Sequence, residues 1–245
     1  MKKSILCKTA ATATMLLALS MPCHSQLNLQ LHRDFGHALY GKELKSRPNL
    51  TLTPEFFNAD KWGSTYFFID MDLAGNGVKS AYGEFSRELK FWKAPISIHV
   101  EYDGGLKNSF SYNDAYLAGA AYNWNSKDFN RTFSLQVMYK HLAHNDQPHS
   151  WQVTTVWGVN LADGLFRLNG FADLWHDNTV NGGLIFLSEP QWWFNFNALK
   201  GVDKDFHLSV GGEVELSNNF VYPDEENMKN NRFYALPTLA VKWTF

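Results

Sequence analysis

The chain has 245 residues, of which 45% are hydrophobic and 16% aromatic, and a formal net charge of −2. The apolar share excludes a disordered chain, and the near-neutral charge excludes a nucleic-acid partner held by bulk positive charge. A mean hydropathy of −0.31 argues against a polytopic helical membrane protein.

Residues 1–25 read as a cleaved secretory signal. Lys2, Lys3 and Lys8 make a positive start, Thr9 to Met21 is rich in small residues and leucine, and Pro22 to Ser25 forms a polar break. Cleavage after Ser25 starts the mature chain at Gln26. A lipid-modified Cys23 would have Pro22 where a small residue is wanted, and the apolar stretch is short for a membrane span. Three of the 22 basic residues and none of the 24 acids lie in this segment, so the mature chain carries net −5. Both cysteines, Cys7 and Cys23, lie there too. An exported chain without disulfides needs another source of stability, and membrane insertion is one.

After Gln26 almost nothing has helical period. About twelve segments alternate apolar and polar, separated by Gly, Asn, Asp and Pro clusters. They begin near Leu27, Asn49, Gly63, Ser80, Pro95, Asp114, Thr132, His149, Leu165, Gly183, Phe206 and Arg232. In the fifth, Ile96, Ile98, Val100 and Tyr102 oppose Ser97, His99 and Glu101. In the seventh, Phe133, Leu135, Val137 and Tyr139 oppose Ser134, Gln136 and Lys140. The last sets Leu239, Val241, Trp243 and Phe245 against Thr238, Ala240, Lys242 and Thr244.

Short links (Ala59 to Trp62, Trp92 to Ala94, Ala162 to Gly164) alternate with long ones (Gly36 to Arg47, Gly104 to Asn113, Val221 to Asn231), with Gly75 to Lys79 a short exception. An even strand count lets both termini lie on one side of a membrane, and links long on one side and short on the other mark outer-membrane barrels. A soluble sandwich or lipocalin-type barrel also alternates, but turns its apolar face inward. Four features favour the membrane form. The polar face is rich in acids. Trp62, Phe91, Trp92, Trp124, Trp175, Trp243 and Phe245 sit at segment ends, as interfacial girdles do. The chain ends on Phe245 after apolar residues at every second position, like the strand read by the outer-membrane assembly machinery. The signal comes without cysteines in the mature chain. The expected fold is all-β: a single antiparallel transmembrane β-barrel of about twelve strands over residues 26–245, monomeric, among the lipids of a bacterial outer membrane.

With the apolar face toward lipid, the other face lines a lumen. The residues expected to meet a solute there are Glu55, Tyr66, Phe68, Asp70, Tyr82, Glu84, Glu101, Arg167, Phe171, Asp173, Trp175 and Glu213. Acids outnumber bases, which favours cations or neutral polyols over anions. Aromatic rings among hydrogen-bonding groups suit flat or ring-shaped polar solutes. The bland alternative is a plugged barrel in which Arg167 and Lys140 pair with neighbouring carboxylates.

The stretch Asn49 to Asp72 carries an acid-plus-aromatic strand (Glu55, Phe56), a short turn with Asp60, Lys61 and Trp62, and a returning aromatic strand ending on Asp70. With the strand Ala81 to Leu89 and the terminal strand ending on Phe245, it resembles the nucleoside-specific channel-forming outer-membrane proteins, the Tsx-like group, and more closely a branch of exported barrels related to it. The resemblance implies a monomeric, twelve-stranded barrel with a narrow pore for nucleosides.

Enzymatic and metal signals are weaker. A lipid-processing site needs Ser, His and an orienting Asn or Asp at one level, but His141 falls on the apolar face and Ser134 on the other. His141, His144 and His149 with Asp146 form a histidine-rich loop whose spacing matches no defined metal motif. Glycine-rich phosphate loops, H-E-x-x-H and G-x-S-x-G are absent. No cofactor and no enzymatic activity are expected.

Overall fold

The structure, a computed structural model, describes residues 24–107, 110–111, 114–179, 182–224 and 231–245. Residues 1–23, most of the expected signal, lie outside the described residues. In chain order the strands are β1 (His24–Asp34), β2 (Leu50–Asp60), β3 (Gly63–Ala74), β4 (Gly77–Leu89), β5 (Ile96–Lys107) and β6 (Ala115–Asn125). There follow β7 (Arg131–Leu142), β8 (His149–Leu161), β9 (Phe166–Thr179), β10 in two runs (Gly182–Ser188 and Gln191–Asn195), β11 (Leu208–Asn218) and β12 (Phe233–Thr244). A two-residue run, Phe110–Ser111, adds to the edge of β5.

Each strand pairs antiparallel with the next, and β12 pairs back onto β1 through Leu29↔Trp243 and Leu31↔Val241. The result is a closed 12-strand antiparallel barrel. Strands about 4.8 Å apart, tilted by about 40°, close into a backbone cylinder roughly 24 Å across. Closure leaves no sheet edge unpaired, which a hydrocarbon environment demands. No described helix is long and apolar enough to cross a membrane.

The break in β10 falls at Pro190, which has no N–H to give the ladder. Register survives it, because Ser188 pairs Leu216 before the break and Gln191 pairs Glu213 after it. β4 begins three residues before the alternation suggests. A register shift between Asp72 and Leu73 skips Lys79, so the period-two pattern fails there although the strand continues.

The two faces decide what kind of barrel this is. On β5, Ile98 and Val100 are about 40% exposed while His99 is 1% exposed. The same inversion holds on β1, where Leu27, Leu29 and Leu31 are exposed and Asn28, Gln30 and His32 are buried. Water would penalise such an apolar exterior, and lipid rewards it. The soluble lipocalin-type arrangement is thereby excluded.

Aromatic residues ring the exterior near both ends. At the end bearing the β2–β3 turn, Phe166, Phe194, Phe196, Phe206 and Trp243 follow one another edge-to-face at 5.2–6.3 Å. Trp62, Phe91 and Trp92 continue that belt. At the opposite end Tyr102, Tyr116, His141, His149 and Tyr139 form the second belt. Trp175 does not join either girdle. Its register puts it on the inner face beside Asp173, where its ring meets Phe220 at 5.8 Å.

Link lengths are less one-sided than expected. The link 196–207 is long and sits at the turn end, where Phe196 and Phe206 serve the girdle. The longest structured link, 35–49, holds α1 (Gly36–Tyr40) and a 3-10 turn (Gly41–Leu44). Leu44 is buried with Val221, Tyr234 and Leu236, and Tyr40 packs against them. Tyr234 and Leu236 belong to the inward face of β12, so this loop folds into the mouth of the barrel.

Candidate functional site: the lumen

Antiparallel register places every expected site residue on the inner wall. Glu55 lies opposite Phe68, Phe68 opposite Glu84, and Asp70 opposite Tyr82. Glu84 then lies opposite Asp103, and Ser86 opposite Glu101. Across the barrel, Arg167 pairs Trp193, Asp173 pairs Thr154 and Gln191 pairs Glu213. Because the side-chain period is two, one inward residue fixes the rest of its strand.

These side chains form three groups. In the first, Glu55 accepts hydrogen bonds from Asn28 Nδ2 at 2.9 Å and from the Tyr66 hydroxyl at 3.2 Å. Arg167 of β9 and Lys242 of β12 both act electrostatically on Glu55 of β2, so this carboxylate faces cations from other walls. Lys242 Nζ lies 3.8 Å from the centre of the Trp193 ring. Arg167 donates to Asn160 Oδ1 at 3.1 Å. Among the described residues Arg167 makes no carboxylate ion pair of the kind expected of a plugged barrel, whereas Lys140 does, with Asp103 at 3.4 Å.

The second group is an aromatic ladder bordered by acids. Tyr66, Phe68 and Tyr82 succeed one another at 6.1 and 6.3 Å between centroids. Thr53 donates to Asp70 at 2.5 Å, and the Tyr82 hydroxyl donates to Glu84 at 2.9 Å. These rings are only half-buried, as is Phe171 on β9. Val156, inward by its pairing with Phe171, is 39% exposed, which marks open space within the barrel.

The third group is acidic. Glu84, Glu101 and Asp103 each bring a carboxylate oxygen within 4.8 Å of the others and are the residues best placed to hold a cation. His99 bridges Glu88 at 2.8 Å and Glu101 at 3.0 Å. Asp173 faces the same region and acts electrostatically on Glu84. Glu213, Glu215, Asp70 and Glu84, from several walls, likewise act electrostatically on Glu189. Trp175 lies under Lys140 Nζ at 5.2 Å. Glu213 accepts from Gln191 at 3.1 Å and lies 3.4 Å from His32 Nδ1. Against these acids the inner wall sets chiefly Lys140, Arg167 and Lys242, so its field is negative.

At the mouth, Arg47 binds Asp34 at 2.9 Å and Glu215 at 2.6 Å. Burial opposes its charge, but the two carboxylates more than offset that and raise its pKa. Asp224 of the last long link accepts a bond from the Ser46 amide at 2.6 Å. Hydrogen bonds from Ser46 hold its carboxyl below the usual carboxylate range. Glu43 takes two bonds from Arg232 and one from Tyr234 at 2.6 Å. Two links are thus pinned together over one side of the opening.

Sequence reasoning missed Arg47, which lies in a link with no periodic signal. It also passed over the inward face of β1 (Asn28, Gln30, His32), which the exposed Leu27, Leu29 and Leu31 already mark. Lys242 was on the polar face of the last strand but not among the site residues. The histidine-rich loop does not converge: the His141 and His149 rings meet in a tilted contact in the outer girdle at 6.1 Å, and His149 shares a hydrogen bond with the Tyr139 hydroxyl. Ser134 points inward, away from His141.

Two solved structures are similar to this chain in different degree. A NanC porin is 8% identical with a TM-score of 0.52, over 89% of this chain and 98% of that one. A KdgM porin is 11% identical with a TM-score of 0.47, over 90% and 99% of the two chains. At such low identity the likeness to NanC speaks to the porin-type barrel fold alone. No curated protein sequence matches the chain. The family model described as a domain of unknown function, DUF5020, matches residues 26–245. The chain belongs to that DUF5020 family.

Proposed function

We propose that this protein is a passive channel for small polar solutes in the bacterial outer membrane, with an acidic and aromatic lumen. The observation that carries the reading is the half-buried inner strip of Tyr66, Phe68, Tyr82 and Phe171, edged by Asp70 and Glu84, inside a closed barrel with an apolar exterior. A solute would pass by sequential weak contacts, rings stacking on its flat face and carboxylates accepting bonds from its hydroxyls. Each contact has to be weak enough to release it. Nucleoside-like solutes fit this chemistry, being flat at one end and hydroxylated at the other. The same reading takes residues 1–25 as a removed signal, the β12 strand with Phe245 as the handle for barrel assembly, and the working form as a monomer. It assigns the chain no catalytic step.

The test is the triple substitution Tyr66→Ala, Phe68→Ala and Phe171→Ala in a planar bilayer, with adenosine and thymidine as blockers. Stacking of a base on an aromatic ring is worth about 1–3 kcal/mol, so the half-blocking concentration should rise about tenfold or more. Unchanged block and flux would remove the strip from the path.

One feature favours a second reading, a plugged barrel with a binding or structural role. The link 35–49 is tied into the mouth through Arg47 and Leu44. That reading gives a conductance equal to bare bilayer.

A further inference from the structure

The acidic trio on β4 and β5, of which the proposed solute path uses only Glu84, has a further chemistry as a group. Glu84 and Asp103 are directly opposed in the antiparallel register, and Glu101 lies two residues from Asp103 on the same face. Like charges placed directly opposite on a sheet are destabilising. One carboxylate oxygen of each lies within 4.8 Å of the others.

A second, independent observation concerns unpaired atoms. Asp103 is 5% exposed and Asp173 8% exposed. The Oδ1 atom of each is buried and accepts no hydrogen bond among the described residues. Asp173 stands on β9 and acts electrostatically on Glu84. A buried carboxylate oxygen without a donor is costly unless a proton or a cation meets it, and a cation can serve several such oxygens at once. The resident cation is inadequate: Lys140 Nζ reaches Asp103 Oδ2 only at 3.4 Å and makes its shorter bond, 2.7 Å, to Gln152.

We propose that Glu84, Glu101 and Asp103 form a calcium-binding site in the lumen wall, with Asp173 facing it. Oxygen ligands on Ca²⁺ at 2.3–2.6 Å lie at most about 5 Å apart, which the trio satisfies. Calcium also tolerates irregular oxygen geometry, whereas Mg²⁺ demands a near-ideal octahedron and sheds water reluctantly. The site is independent of whether the barrel conducts, since it needs only the folded wall.

The experiment is equilibrium dialysis of Ca²⁺ against the folded full-length barrel in detergent micelles, with Mg²⁺ as competitor. One Ca²⁺ per chain is expected, with a Kd of about 10⁻⁴–10⁻³ M, the range of extracellular calcium modules. Glu101→Gln and Asp103→Asn should each weaken binding at least tenfold. Lys140→Met, which removes the competing ammonium, should tighten it. Asp128→Asn, in the exposed β6–β7 turn at the other end of the barrel, should leave it unchanged. Absence of saturable binding by the wild type at about 10 mM would overturn the site without any variant. So would binding that Glu101→Gln and Asp103→Asn, each verified as folded by heat-dependent gel mobility, leave intact.

Discussion

Individual residues show how much the lumen depends on polar satisfaction. Asp34 and Glu215 are both 7% exposed, and Arg47 is the cation that answers them. Removing it strands two buried carboxylates, a loss that exceeds what the ion pair itself contributes. Arg47→Ala should therefore cost about 2–3 kcal/mol, below the usual range for a buried pair because the arginine keeps some exposure. Denaturant unfolding in micelles measures this, and Arg47→Lys should recover part of it by keeping the charge. Arg47→Ala should also raise conductance by freeing the link 35–49 from the mouth. Unaltered stability and conductance would mean that the loop holds its place through Leu44 and Tyr40 alone. At this scale the sequence was legible where period two applied: all twelve expected site residues lie on the inner wall. Arg47 was not legible, because a link residue acquires its partners only through tertiary folding, here Asp34 nearby and Glu215 at the far end of the chain. Trp175 was read both as a girdle residue and as a lumen residue, since a tryptophan near a strand end fits either until register is known, and register keeps only the inward reading.

Among the elements, β10 and β11 depart furthest from an ideal strand. Pro190 interrupts one, and the Gly211–Gly212 pair lies in the other. A Cβ on Gly211 would collide with the Trp192 carbonyl and the Trp193 ring, and one on Gly212 with the Thr238 carbonyl. Neighbouring backbones approach too closely there for any side chain. Gly211→Val should cost about 1–3 kcal/mol, the usual penalty for overpacking, and lower the yield of refolded, heat-modifiable barrel. Gly75, whose Cβ would meet nothing within 4 Å, should accept Ser without loss. If Gly211→Val refolds as readily as Gly75→Ser, the close approach is not a constraint on closure. Strand starts were legible to within three residues, and the largest errors have identifiable causes. The bulge after Asp72 breaks the alternation that locates the start of β4. α1 was invisible because five residues are too few to show a helical period, and its helix is held by Tyr234 and Leu236 rather than by its own propensity.

For the whole molecule, the inside-out distribution of polarity is the governing fact. Apolar side chains face outward around the ring, aromatic belts cap both ends, and the interior holds carboxylates, amides and half-buried rings. Such a barrel needs an apolar surround, lipid or detergent, and what distinguishes a channel from a plug is whether solvent passes the pinned mouth. The architecture was readable from alternation because each strand repeats the same signal, so errors in one do not spread. The solute was not readable, because it depends on how side chains from different strands are set around the lumen, as Glu55 of β2 is with Arg167 of β9 and Lys242 of β12. The most direct measurement is single-channel conductance of the refolded protein in a planar bilayer, with nucleosides and simple sugars added in turn. The account predicts small, cation-preferring steps that a nucleoside-like solute blocks. Protein shown to be folded that gives no steps would contradict it and establish the barrel as plugged.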